Sequence, residues 1–510
     1  MSQDTQTPTP SLKAIGPDAW SETQARHLLW RAGLGGTPAQ VEFLARLSPE
    51  KAVDQLLDFE KVKGYPEPAA DEFDESIMRP PSAEDRAAYQ RARRAQDEDF
   101  LAKVRLDRQR REQEDRAQVQ KLQRWWLKRM IETPRPLEEK LTLFWHGHFA
   151  TSYRTIENSY HMYLQNQLFR ANAAGNFGEL LFAIIRDPAM LAYLDNNDST
   201  KAAPNENLSR ELMELFSLGE GAYTERDIKE GARALTGYTF DYNTFVFRRE
   251  RHDTGTKRIL GTLGSLDGDG FVKAILGQRA CAEFIAAKVY RYFVAEIPDP
   301  GSKAHAAVAG VVRQLAGTLL ASRYDMRPML RRLFLSEHFY DPVNRLARIK
   351  SPVELVVGAV RSLKTPVRDL GILLDAMDLM GQAIMFPPSV KGWDGGRSWI
   401  NTSTMFVREN ILNFLLTGKT PHGYDPLARS EPYDPTPLLA ELTEREPGAD
   451  RDPARVAAFL LGFAFGRPGR AGQAAVIADY IAQTGDGGVT PAGVTGALAL
   501  ITSLPEYQQV

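Results

Sequence analysis

Cysteine is almost missing: there is one, Cys281, in 510 residues. A lone thiol excludes internal disulfides and cysteine-built zinc centres. Its helical surroundings, RACAEFIAAKVYRYFV, give it the place of a buried, inert thiol. An excess of charge of one sign is lacking too: 63 Lys and Arg against 65 Asp and Glu leave −2, so nothing draws the whole chain toward nucleic acid or an acidic membrane. No apolar run approaches the ~18 residues of a membrane span, so no transmembrane segment is expected. The opening MSQDTQTPTPSLKAIGPDAW has neither the basic nor the apolar region of a secretory signal. It predicts a disordered leader over 1–19 and a cytoplasmic location, with export alongside a partner as the alternative. No HExxH, P-loop, GxSxG or GxGxxG motif stands in a suitable context.

The residues present predict a mainly α protein: a multi-helix array with a small β-hairpin insertion and one long charged helix. A chain of this length is expected to form about two to four packed units. N-terminal helices cover 20–63, with Ser21 and Thr37 as N-caps. A proline-rich acidic linker follows at 64–81. Residues 82–132 form the long charged helix, or two helices with a mobile joint. Between Ser82 and Met130, 14 Lys and Arg face 9 Asp and Glu, a net of +5. The acids interrupt the basic run, so it lacks the clustered charge of a phosphate-binding stripe. Its end, LQRWWLKRMI, regains apolar spacing and should dock on the core. A helical core fills 133–418, with a hairpin near 238–262 signalled by Asp241–Asn243. An irregular linker at 419–453 and a helical unit at 454–510 complete the chain.

Histidine is scarce, at 8, yet two occur in FWHGHF at the end of a hydrophobic helix. On a helical wheel His148 shares the face of Leu137, Leu141 and Phe144, whereas His146 lies nearly opposite. The two rings converge only if the helix unwinds at Gly147. Downstream, Asn207, Glu211 and Glu214 follow i, i+4, i+7 spacing beside the apolar stripe of the helix capped by Asn205. Two close carboxylates need a cation between them or one pKa rises. The cation is a metal or an arginine such as Arg210. His252 and Asp253 stand in a loop with Gly255, a pair suited to metal ligation or to acid–base work. The candidate cleft thus comprises His146, His148, Glu214 and His252 as metal ligands, and Glu211 and Asp253 as catalytic groups. Asp195, Asn205, Asn207 and Arg210 are its further polar members. Imidazole and carboxylate donors suit zinc, iron or manganese. Trp393 and Trp399, on the glycine loop PPSVKGWDGGRSWINTS, are candidate sugar-stacking platforms, or pack beneath that loop.

Several stretches together resemble the bacterial family called domain of unknown function 1800. They are HLLWRAGLGGTPAQVE, FWHGHFATS, PAMLAYLDNNDSTKAAPNENLSRELMELFSLG, YTERDIKEGARALTGY, RHDTGTKRILG, FIAAKVYRYFV, SPVELVVGAVRSL and MGQAIMFPPSVKGWDGGRSWIN. They run colinearly over most of 25–60 and 120–415. The resemblance implies a mostly helical protein and a partner, domain of unknown function 1501, which is similar to sulfatases and alkaline phosphatases. It brings no catalytic roles. The charged insert at 82–120 departs from the family's compact pattern. Two functions remain in competition. One is a metal-dependent hydrolytic or oxidative enzyme with a His/carboxylate cleft. The other is a non-catalytic partner or assembly protein.

Overall fold

The computed structural model describes residues 7–69, 71–419, 433–466, 469–470, 472–485 and 487–510. Among them are 23 α-helices and two antiparallel two-stranded sheets. The protein is mainly α, with a small hairpin insertion. Its apolar side chains form two cores. The first gathers the N-terminal helices with most of 137–340. The second gathers the end of the long helix with 353–385, 411–416 and the C-terminal helices.

The helix Pro136–His148 lies between the two cores. Leu137, Leu141, Phe144 and Trp145 enter the first, and Leu143 enters the second. A helix facing apolar neighbours all round must bury its polar residues as well. Here Glu138, Glu139 and Lys140 are all buried. Each has charged partners. The Glu139 carboxylate accepts from Arg129 Nε at 2.6 Å, from Arg170 at 2.7 and 3.0 Å, and from the Trp126 indole at 2.8 Å. Burial alone would raise its pKa, but Arg170 and Arg129 outweigh burial and hold it below the usual value. Lys140 Nζ lies 2.9 Å from Glu354 and donates to the Trp30 carbonyl at 2.9 Å. One turn of helix thereby fastens the long helix, the helix Ser159–Ala171, the N-terminal helix and the helix Pro352–Leu363.

The charged stretch is two helices, Ala83–Ala95 and Glu98–Glu132. Gln96 takes the left-handed conformation (φ 55°), and Asp97 then caps the second helix by accepting from Phe100 N. No glycine or proline marks that break. The second helix is 35 residues long, about 50 Å at 1.5 Å per residue. Its first half is solvated, whereas Leu122, Trp126, Leu127 and Met130 are fully buried.

Four boundaries differ from expectation. Residues 1–6 lie outside the described set, but the rest of the leader is docked. Leu12 and Ile15 are buried, Ala14 bridges Ser336, and His338 Nδ1 donates to the Thr9 carbonyl at 2.6 Å. The prolines that bar a helix here favour an extended segment, which bridges the end of the helix Met326–Leu335. The segment 64–81 also packs: Phe73 is buried against Trp125 and Tyr163. Within 419–453, residues 420–432 lie outside the described set, and Thr436–Arg445 is a helix burying Leu438 and Leu442 at i, i+4 spacing. Beside the expected hairpin, Tyr238–Asp241 with Thr244–Phe247, a second pairs Lys257–Ile259 with Thr262–Gly264. The helix Lys303–Ala321 is long and apolar enough to cross a membrane by length and composition alone. In this fold Val308, Val311, Leu315 and Leu319 pack into the first core.

Breaking a buried ion pair from one side leaves uncompensated charge and costs about 3–5 kcal/mol. Glu139→Gln is therefore expected to lower the free energy of unfolding, measured by urea titration, by an amount of that order. A change under about 1 kcal/mol, the range of exposed pairs, would show that the network does not hold the helices together.

Candidate functional site

The helix does not unwind at Gly147; it continues to His148. The two imidazoles point into different surroundings. His146 accepts a hydrogen bond on Nε2 from Met385 N at 3.0 Å, and its ring packs against Trp126 and Trp393. His148 Nε2 lies 3.0 Å from the Phe216 carbonyl. A carbonyl only accepts, so that nitrogen carries the proton, a tautomer assigned from the hydrogen-bond network. The His148 ring is walled by Phe144, Trp145, Phe149, Phe177, Phe216 and Phe284. The two histidines of HGH thus hold opposite tautomers. Burial pushes both pKa values down to about 3, with Lys288 adding to the effect at His148. Both rings are neutral at pH 7.

Each histidine ties down a separate element. His146 holds the amide of Met385, whose backbone is left-handed (φ 69°); the Met385 carbonyl accepts from Tyr153 N at 3.0 Å. Strained backbone of this kind persists only where its surroundings fix it. His148 holds the end of the segment ELMELF. The glycine loop seats directly on the motif. A Cβ on Gly392 would fall 2.2 Å from the Gly147 carbonyl, and Gly392 has φ +80°. Trp393 lies over Gly147 and His146. Trp399 is buried beneath the loop and offers no stacking platform to a sugar.

The acidic helix is Asn207–Glu214. Asn205 is not its N-cap: that position is Glu206, which makes no side-chain capping bond, and Asn205 stands one residue earlier, where its Oδ1 accepts from Asn207 N at 2.9 Å. Asn205 also donates to the Asp195 carbonyl at 3.1 Å. Asp195 itself is exposed in a left-handed turn, and the side chain of Asn207 is exposed. Arg210 does not lie between the two glutamates. It forms a fork with Glu225 at 2.9 and 3.0 Å and touches Glu206 at 3.4 Å. Glu214 accepts from the Tyr223 hydroxyl at 2.7 Å. Glu211 is half-buried, and burial together with Glu214 raises its pKa.

HDTGTK forms a clamped turn. His252 Nδ1 lies 2.9 Å from the Thr236 carbonyl, with the ring against Phe247. Asp253 takes both arms of the Arg233 guanidinium at 2.7 and 3.0 Å and the Gly255 amide at 2.8 Å. Those hydrogen bonds, Arg233 first, hold its pKa down to about 2. Lys257 reaches back to the Gly255 carbonyl at 3.2 Å.

The motifs therefore meet as two separate networks. FWHGHF, LFSLG and the glycine loop form one. DNND, Asn205 and HDTGTK form the other, joined through Ser199, which accepts from Asn205 N and whose carbonyl accepts from Gly237 N. His148 and His252 share no neighbour among these contacts. Among the described residues no three His, Cys, Asp or Glu side chains stand close enough to hold a metal. The set His146, His148, Glu214 and His252 thus does not come together around one zinc, iron or manganese ion: His146 Nε2, His148 Nε2, His252 Nδ1 and the Glu214 carboxylate each face a different protein group. Cys281 is buried and its thiol is pushed up to about 12.

Sequence reasoning missed the residues that bind the helices together. Glu138 and Glu139 suggest a helix-dipole role from position alone. Their signal was charge placed on the same turn as Leu137 and Leu141. Arg129 and Arg170 likewise stand beside apolar residues of docked helices. The Asp187 carboxyl, raised to about 7 by burial, accepts from Gln165 at 2.7 Å and from Met190 N at 2.8 Å.

Fold and networks together define a two-core helical protein whose polar motifs are largely internal. The profile of a family described as "Protein of unknown function (DUF1800)" matches residues 27–509, and the chain belongs to that family. None of the curated proteins and none of the solved structures compared with it matches.

A histidine with a folded pKa near 3 and an unfolded value near 6.5 binds its proton more readily when unfolded. Its contribution to stability is complete above pH ~6.5 and declines as pH falls toward ~3. Relative to His148→Gln, the natural protein is expected to lose about 1.4 kcal/mol per pH unit between about pH 6 and 4. Parallel stability curves in urea unfolding would contradict a buried neutral His148.

Proposed function

We propose that this chain is a non-catalytic partner protein, holding a rigid helical body together through its motif networks and binding another protein through its charged helix pair. The observation that carries this reading is the use of His146, His148, His252, Asp253 and Glu214 in hydrogen bonds to the protein's own groups. Buried polar networks that are satisfied internally specify a fold without doing chemistry. The helix Ala83–Ala95, by contrast, is exposed along nearly its whole length. Its arginines face solvent, where charge steers association between proteins. The partner suggested by the family resemblance is a phosphatase- or sulfatase-like protein.

A metal-dependent hydrolytic or oxidative enzyme is the second reading. One observation favours it: Glu211 is a half-buried carboxyl raised by burial and by Glu214, near Tyr193, while Glu214 accepts from the Tyr223 hydroxyl. That is the property of a general acid. A metal bound there would acidify a water molecule.

Elemental analysis and co-expression separate the two. Purified protein is expected to carry no stoichiometric zinc, iron or manganese, and to co-elute with a co-expressed phosphatase-like partner. The triple variant Arg93→Glu/Arg94→Glu/Arg105→Glu is expected to abolish co-elution while unfolding at the same urea concentration. Stoichiometric metal that is lost in His148→Ala/His252→Ala would overturn the partner reading in favour of the enzyme.

A further inference from the structure

Away from the motifs, the described residues enclose a further cleft. It has a volume of about 440 Å³ and lies between the middle of the helix Glu98–Glu132, the short turn Tyr153–Glu157 and the helix Leu370–Leu379. That volume falls within the range of small-ligand sites. Val119, Ile384 and Phe386 supply apolar lining. Two of its acids are already satisfied: Glu112 pairs with Arg108 at 2.7 Å, and Asp115 accepts from Tyr153 and Ser159. The other five charges in the lining are Arg116, Arg154, Glu157, Asp375 and Asp378. Among the described residues none of these five side chains makes a hydrogen bond or an ion pair.

The distribution of those charges is not uniform. Arg116 comes from the long helix and Arg154 from the turn beside it. Asp375 and Asp378 come from the opposite helix at i, i+3 spacing, which places both on one side of it. The arginine wall also carries Glu157, at the end of the turn that bears Arg154, so two cations and one anion face the two anions of the opposite helix. With no ion pair among the described residues joining either arginine to Asp375 or Asp378, the cleft offers both signs to a molecule that carries both. A ligand with only one sign would meet its match on one wall and repulsion on the other, since like charges in apposition cost binding energy. The apolar lining between the walls suits an aliphatic stem.

We propose that this cleft binds a short peptide segment bearing both charges, with a lysine or arginine side chain on Asp375 and Asp378, a carboxylate on Arg116 and Arg154, and an apolar residue over Val119 and Ile384. The segment is either a free oligopeptide or a stretch of a larger chain; the chemistry read by the cleft is the same. The site is built on the middle of Glu98–Glu132 and leaves out the exposed helix Ala83–Ala95; its test does not use the partner protein, so it stands or falls independently of the partner reading.

Isothermal titration calorimetry of the full chain with two probes tests the proposal: the tripeptide Lys-Leu-Glu with free ends, and the same tripeptide acetylated and amidated. Binding of the capped form identifies a site for internal segments, and binding of the free form alone identifies a site for free peptides. In either case Asp375→Asn/Asp378→Asn and Arg116→Gln/Arg154→Gln are each expected to weaken binding by about tenfold, the effect of removing one charge-assisted contact. All four residues are solvent-facing and unpaired, so the variants are expected to unfold at the natural urea midpoint. No heat from either probe at millimolar concentration, or an affinity in both double variants equal to that of the natural protein, would overturn the proposal. Equal affinity for capped Leu-Leu-Leu would overturn it as well, because the charges would then play no part.

Discussion

The structure depends on keeping a charged helix turn dry. Pro136–His148 sits where two hydrophobic cores meet, and it carries Glu138, Glu139 and Lys140 into that junction. Placing a carboxylate there without partners would cost several kcal/mol. Two arginines from two other helices, Arg129 and Arg170, and an indole N–H converge on Glu139. Lys140 and Arg348 converge on Glu354, at the start of a fourth helix. Apolar contact alone is tolerant of register and angle. These ion pairs are not, and they fix how the cores dock. The glycine loop, the Met385 turn and the end of the acidic helix then attach to the far end of the same helix.

Seen this way, the motif residues have a common use. His146 and His148 are neutral rings acting as a hydrogen-bond acceptor and a hydrogen-bond donor, one toward each side of the helix. Asp253 organises Arg233 and the turn through Gly255. Arg210 binds Glu225, holding the acidic helix to the one that follows it. Residue types that ordinarily announce chemistry serve here as fasteners between segments distant in sequence. Glu211 stands apart, a half-buried acid raised by burial and by its neighbour Glu214, and without such a bond among the described residues.

Much of the architecture was legible in the sequence because it follows from periodicity and capping. LQRWWLKRMI shows the spacing of a docked helix end, and Leu122, Trp126 and Met130 are buried as it requires. Thr224 with Asp227 reads as a capping box and is one. The helical wheel already separated the rings of His146 and His148. It could not say whether the helix would bend to reunite them, because that depends on tertiary neighbours: Gly392 and Trp393 fill the space a bend would need. The second hairpin escaped notice because three-residue strands carry almost no alternation. The helix Thr436–Arg445 was hidden by prolines on both sides. The partners of Glu139 lie 10 and 31 residues away, and no local pattern links them. The cleft beside Arg116 was invisible for the same reason, being built from three segments whose proximity only the fold creates.

The central claim is that the paired histidines are structural, neutral and differently protonated. Nitrogen-15 spectra of histidine-labelled protein at pH 5 read this directly, because the two neutral tautomers and the imidazolium give distinct patterns. The account predicts a δ-protonated His146 and an ε-protonated His148, both unmoved by added zinc. Imidazolium signals from these two rings at pH 5, or a common shift of both on adding zinc, would contradict it.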